Sequence, residues 1–287
     1  MNKVKIIVDS TSDLENDYIK AHDIEVIGLG VNFGEEKYTD RVDITNDMLY
    51  QKVNEKGMLP KTSAVPLMVL IDVFQKYIDL GYDIFYTGIS VKMSSSNNNA
   101  LLASKQFPKG RIIVFDSENL STGIGLQVLK AVELRDQGKS IQEIKDALTI
   151  IRPKVRSQFM IETLDYLYKG GRCSSLSFFF GKKLGIKPII RVKDGAMFVY
   201  KKAIGKSIKA LNLLLDIFKK DLSNVDLGTV MITSTNASES EKYLYGELSK
   251  IIDPKHIMIT HAGCVISSHC GPGTIGILYI LKENQEN

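Results

Sequence analysis

The chain has 287 residues, close to the length of about 250–300 residues at which single hydrophobic cores tend to divide into two domains. With 44% apolar residues, 24% charged residues and a net charge of +4, its composition is that of a globular protein and gives no indication of nucleic-acid binding. Short apolar runs without a predicted membrane span or signal peptide, and only three cysteines, favour a protein of the reducing cytoplasm.

The first half of the chain repeats a pattern of strand, polar loop and helix. Strands are predicted at residues 3–8, 24–31, 83–90 and 111–115, and helices at residues 14–22, 46–53, 67–80, 125–137 and 141–155. This alternation predicts a mostly parallel sheet flanked by helices. Ligands of such sheets bind beyond the carboxyl ends of the strands, and Thr11, Thr62, Ser94 and Ser117 would lie along that edge.

Two of the polar loops are candidate anion sites. Three serines and three asparagines, Ser94 to Asn99, separate the strand at 83–90 from a helix, and hydroxyls beside free helix N–H groups suit an anion. Pro60 and Pro66 hold Thr62 and Ser63 in an extended segment before the next helix. Taken alone, each loop is explained equally well by an ordinary helix cap or a proline-braced connection.

The second half of the chain is predicted to be a mixed α+β domain. Strands are predicted at residues 157–161, 187–190, 197–200, 228–233, 257–260 and 275–281, and helices at residues 164–168 and 207–220. Asp194-Gly195 is a hairpin signal. We expect two domains, residues 1–155 and residues 156–287.

Several motifs admit a chemical or a structural interpretation. Asp9-Ser-Thr-Ser-Asp13 suits a metal or phosphotransfer site, but a helix cap with acids in the first turn explains it as well. Gly123-x-Gly125 lacks the third glycine of a dinucleotide motif, and the histidines and cysteines have no zinc spacing. Cys270 beside His269 is a nucleophile candidate or a small buried filler. The His269-Cys-Gly-Pro-Gly273 turn holds an imidazole that would titrate near neutrality.

Together these segments resemble the DegV family of bacterial fatty-acid-binding proteins, and the resemblance covers essentially the whole chain, about residues 3–283. The matching segments, in family order, are Asp9-Ser-Thr11, Lys61-Thr-Ser63, Ile89-Ser-x-x-x-Ser94, Asp116-Ser117 with Ser121-x-Gly-x-Gly125, Glu162-Thr-Leu-x-Tyr-Leu-x-Lys-Gly-Gly-Arg172, Lys187-Pro-Ile-Ile190 and His269-x-Gly-Pro-Gly273. The Glu162–Arg172 segment and the His269 turn are the most specific.

The resemblance implies two α/β domains with a long-chain fatty acid such as palmitate in a tunnel between them. The carboxylate would be held by Thr62 and Ser94, with His269 close by. Further candidate ligand-binding residues are Ser63, Ser95, Ser96, Ser117, Arg172 and Gly271. The resemblance implies no catalysis, metal or cofactor, and some members serve as the acyl-carrying subunit of a fatty acid kinase with a separate ATP-using subunit. We expect a monomer. Transient contact with a membrane would be compatible with a lipid ligand.

The chain departs from the family pattern in the serine loop, where Lys92 and Ser95 replace glycines and are expected to alter the loop path or the head-group pocket. Met93 and the Phe178–Phe180 run are candidate tunnel walls or ordinary core. About 15 buried methylenes would contribute roughly 12 kcal/mol before ordering costs, so the tail would supply the affinity. An acyl- or phosphoryl-processing enzyme that uses Cys270 or the Ser94 loop, and a lipid sensor that acts through protein partners, are the alternatives.

Overall fold

The computed structural model describes residues 2–173 and 185–283 and has the predicted α/β fold class. In chain order, the strands are β1 (Val4–Asp9), β2 (Glu25–Ile27), β3 (Gly30–Phe33), β4 (Glu36–Thr39), β5 (Lys61–Ser63), β6 (Asp83–Gly88), β7 (Ile112–Asp116), β8 (Val155–Met160), β9 (Ile186–Lys193), β10 (Ala196–Ile204), β11 (Val225–Thr235), β12 (Ile257–His261) and β13 (Thr274–Leu281). The helices are α1 (Asn16–Ala21), α2 (Asn46–Lys56), α3 (Leu67–Asp79), α4 (Ser96–Ser104), α5 (Thr122–Asp136), α6 (Ile141–Ile151), α7 (Leu164–Gly170), α8 (Ser207–Asp221), α9 (Ser238–Leu248) and α10 (Cys264–Cys270). Within these ranges, no helix combines the length and the apolarity that crossing a bilayer requires. The Phe178–Phe180 run lies outside the described residues.

The first sheet is parallel, as predicted for the first half of the chain. Its order is β2-β1-β6-β7, and the apolar residues Ile6, Ile7 and Val8 of β1 are fully buried. The predicted strand at 24–31 is divided into β2 and β3, because the chain leaves the parallel sheet at Gly28. A methyl group at Gly28 would lie 2.7 Å from the carbonyl oxygen of Asp40, so the close approach of the two segments requires glycine.

A small antiparallel sheet, in the order β4-β3-β5, follows the parallel one. Residues 33–43, predicted as a loop or a hairpin, contain the turn of the β3–β4 hairpin, with Gly34 at a φ of +63°, and strand β4. The two prolines around β5 leave room for only a short strand, in which Thr62 pairs with Val31. This sheet therefore fixes the backbone that carries Thr62.

The third sheet is mixed, as predicted for the second half. Its order is β10-β9-β8-β13-β11-β12, in which β11 and β12 are parallel and the other pairs are antiparallel. The predicted hairpin is confirmed, since Asp194 and Gly195 connect β9 and β10 with φ values of +50° and +75°. Positive φ at both positions is what a two-residue hairpin loop of this kind needs.

One predicted helix is shorter in the structure, and two helices were not predicted. The predicted helix 141–155 ends at Ile151, and residues 152–154 form a 3₁₀ turn around Pro153, which lacks the N–H that a continuing helix needs. Helices α9 and α10 were not predicted. The sequence of α10 mixes β-branched residues, serines and cysteines, which have modest helix propensity, and its tertiary packing decides the outcome.

The two halves share one hydrophobic core. This core combines Ile6, Leu49 and Phe85 of the first half with Phe159 and Leu278 of the second, and a second core lies in the second half around α8. Helix α10 belongs to the second half but packs against α2, β3 and β5. We retain the boundary between residues 155 and 156 as a proposal; it falls at the start of β8.

Candidate functional site

A cavity of about 180 Å³ lies where the two halves meet. Its walls come from β5 and the loop before α4 on the N-terminal side, and from α10 and β10 on the C-terminal side. The lining residues are Leu29, Thr62, Ser63, Ala64, Ile89, Met93, Ser94, Ser95, Leu120, Arg172, Met197, Val265, Ile266, His269 and Cys270. Hydroxyls, one imidazole and one guanidinium thus share a cavity with many apolar side chains, which suits an amphiphilic ligand with an acidic group.

A hydrogen bond joins the two sides of the cavity. The Oγ1 atom of Thr62 on β5 lies 2.8 Å from Nε2 of His269 near the end of α10. On its other side the imidazole packs against Gly170 at the end of α7, where an added methyl group would overlap Nδ1. Nδ1 itself has no hydrogen-bond partner among the described residues. The ring is therefore held in place by one hydrogen bond and by close packing.

His269 is neutral at physiological pH. Burial, and secondarily the positive charge of Arg172, lowers the pKa of the imidazole to about 4. The prediction that this imidazole titrates near neutrality is therefore wrong, because the turn that holds it is buried within the protein. A neutral ring carries a single N–H, so the group can donate one hydrogen bond but supplies no positive charge to a ligand.

The serine loop forms a tight turn before α4. The N–H groups of Met93 and Ser94 both donate to the carbonyl oxygen of Ser90, at 2.9 and 3.1 Å. The Ser94 Oγ atom accepts the N–H of Ser96 at 3.3 Å and lies 3.1 Å from the Ser96 Oγ. Because Ser94 Oγ accepts from the backbone, its own hydrogen remains available for either Ser96 or a ligand.

Lys92 and Ser95, the two residues at which the resemblance leads us to expect glycine, show no backbone strain. Neither Lys92 nor Ser95 adopts a positive φ, and Ser95 has a φ of −83°. Lys92 is exposed and lies outside the cavity lining, whereas Ser95 is part of it. The substitutions therefore fit the backbone of this loop, and the cation at position 92 is on the protein surface.

The structure brings six of the nine predicted ligand-binding residues to the cavity and leaves three elsewhere. The six are Thr62, Ser63, Ser94, Ser95, Arg172 and His269. Ser96 is buried, and its Oγ accepts the N–H of Val65. Ser117 is buried too, and its hydroxyl donates to the carbonyl oxygen of Gly88 at 2.6 Å. Gly271 packs closely against the ring of Tyr166.

Thr11, expected at the same edge, is also turned away from the cavity. Its hydroxyl donates to Asp9 at 2.5 Å, and both residues are fully buried. The loop after β6 does lie at the cavity, as expected for this edge of the sheet. The hydroxyls of Thr11 and Ser117 instead donate to buried groups of the protein.

Arg172 lies at the exposed side of the cavity. Its Nη1 donates to the carbonyl oxygen of Gly170 at 2.6 Å, and its Nε donates to that of Met93 at 3.4 Å. The side chain thereby connects the end of α7 to the serine loop. A guanidinium in this position attracts an anionic group to the exposed side of the cavity and stays outside its apolar interior.

A second cavity of only about 20 Å³ adjoins the first and shares Leu120, Ile266 and Cys270 with it. Its other lining residues are Ser121, Phe159, Thr233, Ser234, Thr235, Ala262, Thr274, Gly276 and Leu278. The shared side chains make the two cavities neighbours. We refer to them as the outer and the inner cavity.

The inner cavity is apolar although five of its residues carry hydroxyls. Each of these hydroxyls has a protein partner: Ser121 donates to Asp13, Thr233 bonds Thr260, Ser234 donates to Glu241, Thr235 bonds Tyr50 and Ser267, and Thr274 donates to the Cys270 carbonyl. Their polar atoms are engaged away from the space, so hydrocarbon groups predominate at its surface. Such a space favours a hydrocarbon over a polar group.

The thiol of Cys270 is poorly suited to nucleophilic attack. Burial, with a contribution from Asp13, raises its pKa to about 12, so it stays protonated at neutral pH. Its neighbour His269 uses Nε2 to bond Thr62. Among the described residues, no cluster of three or more His, Cys, Asp or Glu side chains is arranged to hold a metal ion.

Sequence reasoning missed the residues that α10 and the loop before α5 contribute. Ile266, Val265 and Leu120 line the outer cavity, but their apolar side chains occur in segments that predict ordinary core. The available signal was the run of small and apolar residues directly before the His269 turn. Met93, a candidate tunnel wall, does line the outer cavity.

Comparison with known proteins shows similarity over almost the whole chain. The model of the DegV family, described as a family of uncharacterised proteins, matches residues 3–282. A DegV domain-containing protein of Clostridium acetobutylicum is 37% identical over 283 residues, which cover 98% of this chain and 100% of the relative. A solved DegV family structure from Thermus thermophilus, reported for its fatty acid binding, has a TM-score of 0.90 and 29% identity and covers 98% of this chain and 100% of its own. A stearic acid-binding protein from Eubacterium ventriosum has a TM-score of 0.85 and 27% identity, with 98% and 99% coverage.

Proposed function

This chain belongs to the DegV family, and from that premise we propose that it binds a long-chain fatty acid between its two halves. The observation that carries the proposal is the pair of adjoining cavities, the outer one with hydroxyls and the inner one apolar. Similar structures reported with fatty acids support the same ligand class. The carboxylate would occupy the outer cavity, and the acyl tail would extend toward the inner one.

In this proposal Thr62 and Ser94 donate hydrogen bonds to the carboxylate. If His269 carries its proton on Nε2, it donates to Thr62 Oγ1 over the observed 2.8 Å. The Thr62 hydrogen is then free to point at the ligand. The opposite tautomer would direct that hydrogen to the imidazole and leave a buried N–H without an acceptor, which is the costlier arrangement. His269 thus orients Thr62 rather than neutralising the acid.

The remaining polar side chains complete the head-group end. Ser63 and Ser95 add hydroxyls to the outer cavity, and Arg172 provides a positive charge at its exposed side. Neutral donors hold a carboxylate without the two-pronged grip of a guanidinium, so its oxygens stay reachable. This arrangement supports presentation of the carboxylate to a separate ATP-using kinase subunit, with the present chain as the non-catalytic, acyl-carrying partner.

The tail end is supported by the character of the space behind Leu120, Ile266 and Cys270. Burial of hydrocarbon contributes about 0.8 kcal/mol per methylene. Since the hydroxyls of the inner cavity are already bonded within the protein, a hydrocarbon chain leaves no polar group unsatisfied there. This geometry does not support the alternative of an acyl- or phosphoryl-processing enzyme that uses Cys270, because the Cys270 thiol is buried and protonated.

Native mass spectrometry of the purified protein tests the proposal directly. We expect a co-purifying mass that matches an intact C14–C18 fatty acid, and its loss after delipidation. An empty protein that hydrolyses acyl esters, with the activity lost in Cys270→Ala, would support the enzyme alternative instead. Reconstitution with a candidate ATP-using subunit, followed by a search for acyl phosphate, tests the kinase step separately.

A further inference from the structure

Helix α10 carries His269 but lacks a cap of its own. Its N-cap residue is Gly263, which has no side chain to satisfy the first N–H groups of the helix. Two buried carboxyl groups from the first half of the chain accept these hydrogen bonds instead. Asp13 accepts the N–H of Gly263 at 2.8 Å, and Asp40 accepts the N–H of Cys264 at 2.8 Å and also that of Val265.

Each of these carboxyl groups is held from its other side as well. The second oxygen of Asp13 accepts the hydroxyl of Ser121 at 2.6 Å, and that of Asp40 accepts the hydroxyl of Ser10 at 2.8 Å. Gly263 allows both acids to come close, since an added methyl group would lie 3.1 Å from the Asp40 oxygens and 3.3 Å from Asp13 Oδ1. The start of α10 is therefore fixed by groups whose own positions are fixed.

This arrangement determines where the imidazole lies. His269 follows Cys264 by five residues, a distance of about 7.5 Å along a helix that rises 1.5 Å per residue. A shift of the first turn of α10 would be transmitted along so short a helix to Nε2 of His269. Thr62, its hydrogen-bond partner, belongs to the first half, which also provides Asp13 and Asp40.

We propose that Asp13 and Asp40 are positioning residues that clamp the N-terminus of α10 and thereby set the His269–Thr62 hydrogen bond of the head-group site. The proposal rests on the proposed fatty-acid binding for its functional consequence, but not for its structural readout. Asp9, a third buried acid of the same region, bonds Thr11 and the N–H of Ile89 rather than α10, so it has no part in this clamp.

The test compares Asp40→Asn and Gly263→Ala with a matched control. Asp221→Asn removes the charge of an acid that is also buried but bonds Tyr279 in the second core. The imidazole ¹⁵N signals of His269 are recorded in the ligand-free protein and assigned by their absence in His269→Asn. We expect them to change in Asp40→Asn and Gly263→Ala and to stay unchanged in Asp221→Asn. The dissociation constant for palmitate should rise about tenfold in the two clamp variants.

The proposal would be overturned if both clamp variants kept the His269 signals and the palmitate affinity of the wild type. It would also be overturned if Asp221→Asn changed the His269 signals as much as the clamp variants do. If Asp40→Asn does not fold, Gly263→Ala decides, because it keeps both acids and crowds only their contact with the start of α10. A wild-type protein that binds no fatty acid would refute the proposed function. The His269 signals would still test the clamp.

Discussion

At the scale of single residues, the candidate site depends on hydroxyls whose hydrogens can turn toward a ligand. Thr62 and Ser94 have this freedom, because each also has a protein group that can donate to its oxygen: Nε2 of His269 for Thr62 and the N–H of Ser96 for Ser94. Ser117 has a hydroxyl too, but that hydroxyl is already used on the carbonyl of Gly88. Residue type alone does not separate these cases.

We expect Thr62→Val to weaken fatty-acid binding by about 1–3 kcal/mol, because it keeps the side-chain shape but leaves part of the carboxylate unsatisfied. Ser94→Ala should have a similar effect. Displacement of a fluorescent fatty acid by palmitate measures both. Ser104→Ala, which removes a hydroxyl bonded to the Leu101 carbonyl on α4, is the control and should bind as the wild type does. Unchanged affinity in both site variants would contradict the assignment of the head group.

A second prediction concerns the protonation of His269. Its pKa in the folded protein is lowered to about 4, whereas an unfolded histidine has a pKa of about 6.5. As the pH falls from 6.5 to 4, the unfolded state therefore binds a proton that the folded state does not bind. The free energy of unfolding decreases over that range. Urea unfolding at pH 6.5 and 4.5 should show a smaller acid loss in His269→Asn than in the wild type. An identical loss would mean that the imidazole is accessible and protonated in the folded state.

At the scale of elements, the end of α7 supports the imidazole from behind. Gly170 packs against Nδ1 of His269, whereas Gly171, with a φ of +69°, has open space where a side chain would be. Gly170→Ala should therefore displace the ring and weaken palmitate binding. Gly171→Ala should lower stability by roughly 1 kcal/mol through backbone strain and leave binding unchanged. Calorimetric binding and thermal unfolding of both variants distinguish the two effects, and equal affinities would show that the ring does not depend on this contact.

Much of the element level could be predicted from the sequence. Local signals in the sequence predicted the starts of α2 and α6 and the hairpin at Asp194-Gly195. Such signals act within a few residues, so they can be read without the fold. Helix α10 could not be predicted in this way, because its cap comes from Asp13 and Asp40, and the segment has little intrinsic helix preference.

The same reasoning explains the mixed outcome for the site. Asp13 ends a segment in which the sequence allows either a metal or phosphotransfer site or a helix cap with acids in the first turn. In the fold it adopts a left-handed conformation and bonds Ser121 and Gly263. The apolar character of the inner cavity could not be predicted from the sequence either. Its hydroxyl-bearing residues suggest a polar space, and only their partners in the fold make it apolar.

At the scale of the whole molecule, the buried acids between the halves make stability depend on pH. Burial raises the pKa of Asp13 to about 8 and that of Asp9 to about 6, while Asp40 is raised in the same direction. Arg41 offsets part of this for Asp13 and Asp40. A carboxyl whose pKa is raised on folding holds a proton that the unfolded chain has already lost, so stability falls as the pH rises toward the folded-state pKa.

Between pH 6.5 and 8, Asp13 should contribute to this decrease, because its folded-state pKa of about 8 lies at the end of this range, whereas that of Asp9, about 6, lies below it. We expect the free energy of unfolding to be lower at pH 8 than at pH 6.5 in the wild type and to change less in Asp13→Asn. Urea denaturation at the two pH values provides the measurement. An equal change in the wild type and in Asp13→Asn would show that Asp13 does not titrate in the folded protein over this interval.

The long separation of Asp13 from Gly263 and of Asp40 from Cys264, 250 and 224 residues along the chain, also bears on how the protein is made. As the polypeptide leaves the ribosome, its first half emerges with two acids that already have serine partners but whose partners in α10 have not yet been synthesised. Those acids can remain hydrated until the last helix arrives. Truncated nascent chains that stop before Gly263 should therefore hold β1 and the β3–β4 hairpin less firmly against protease than the finished protein does.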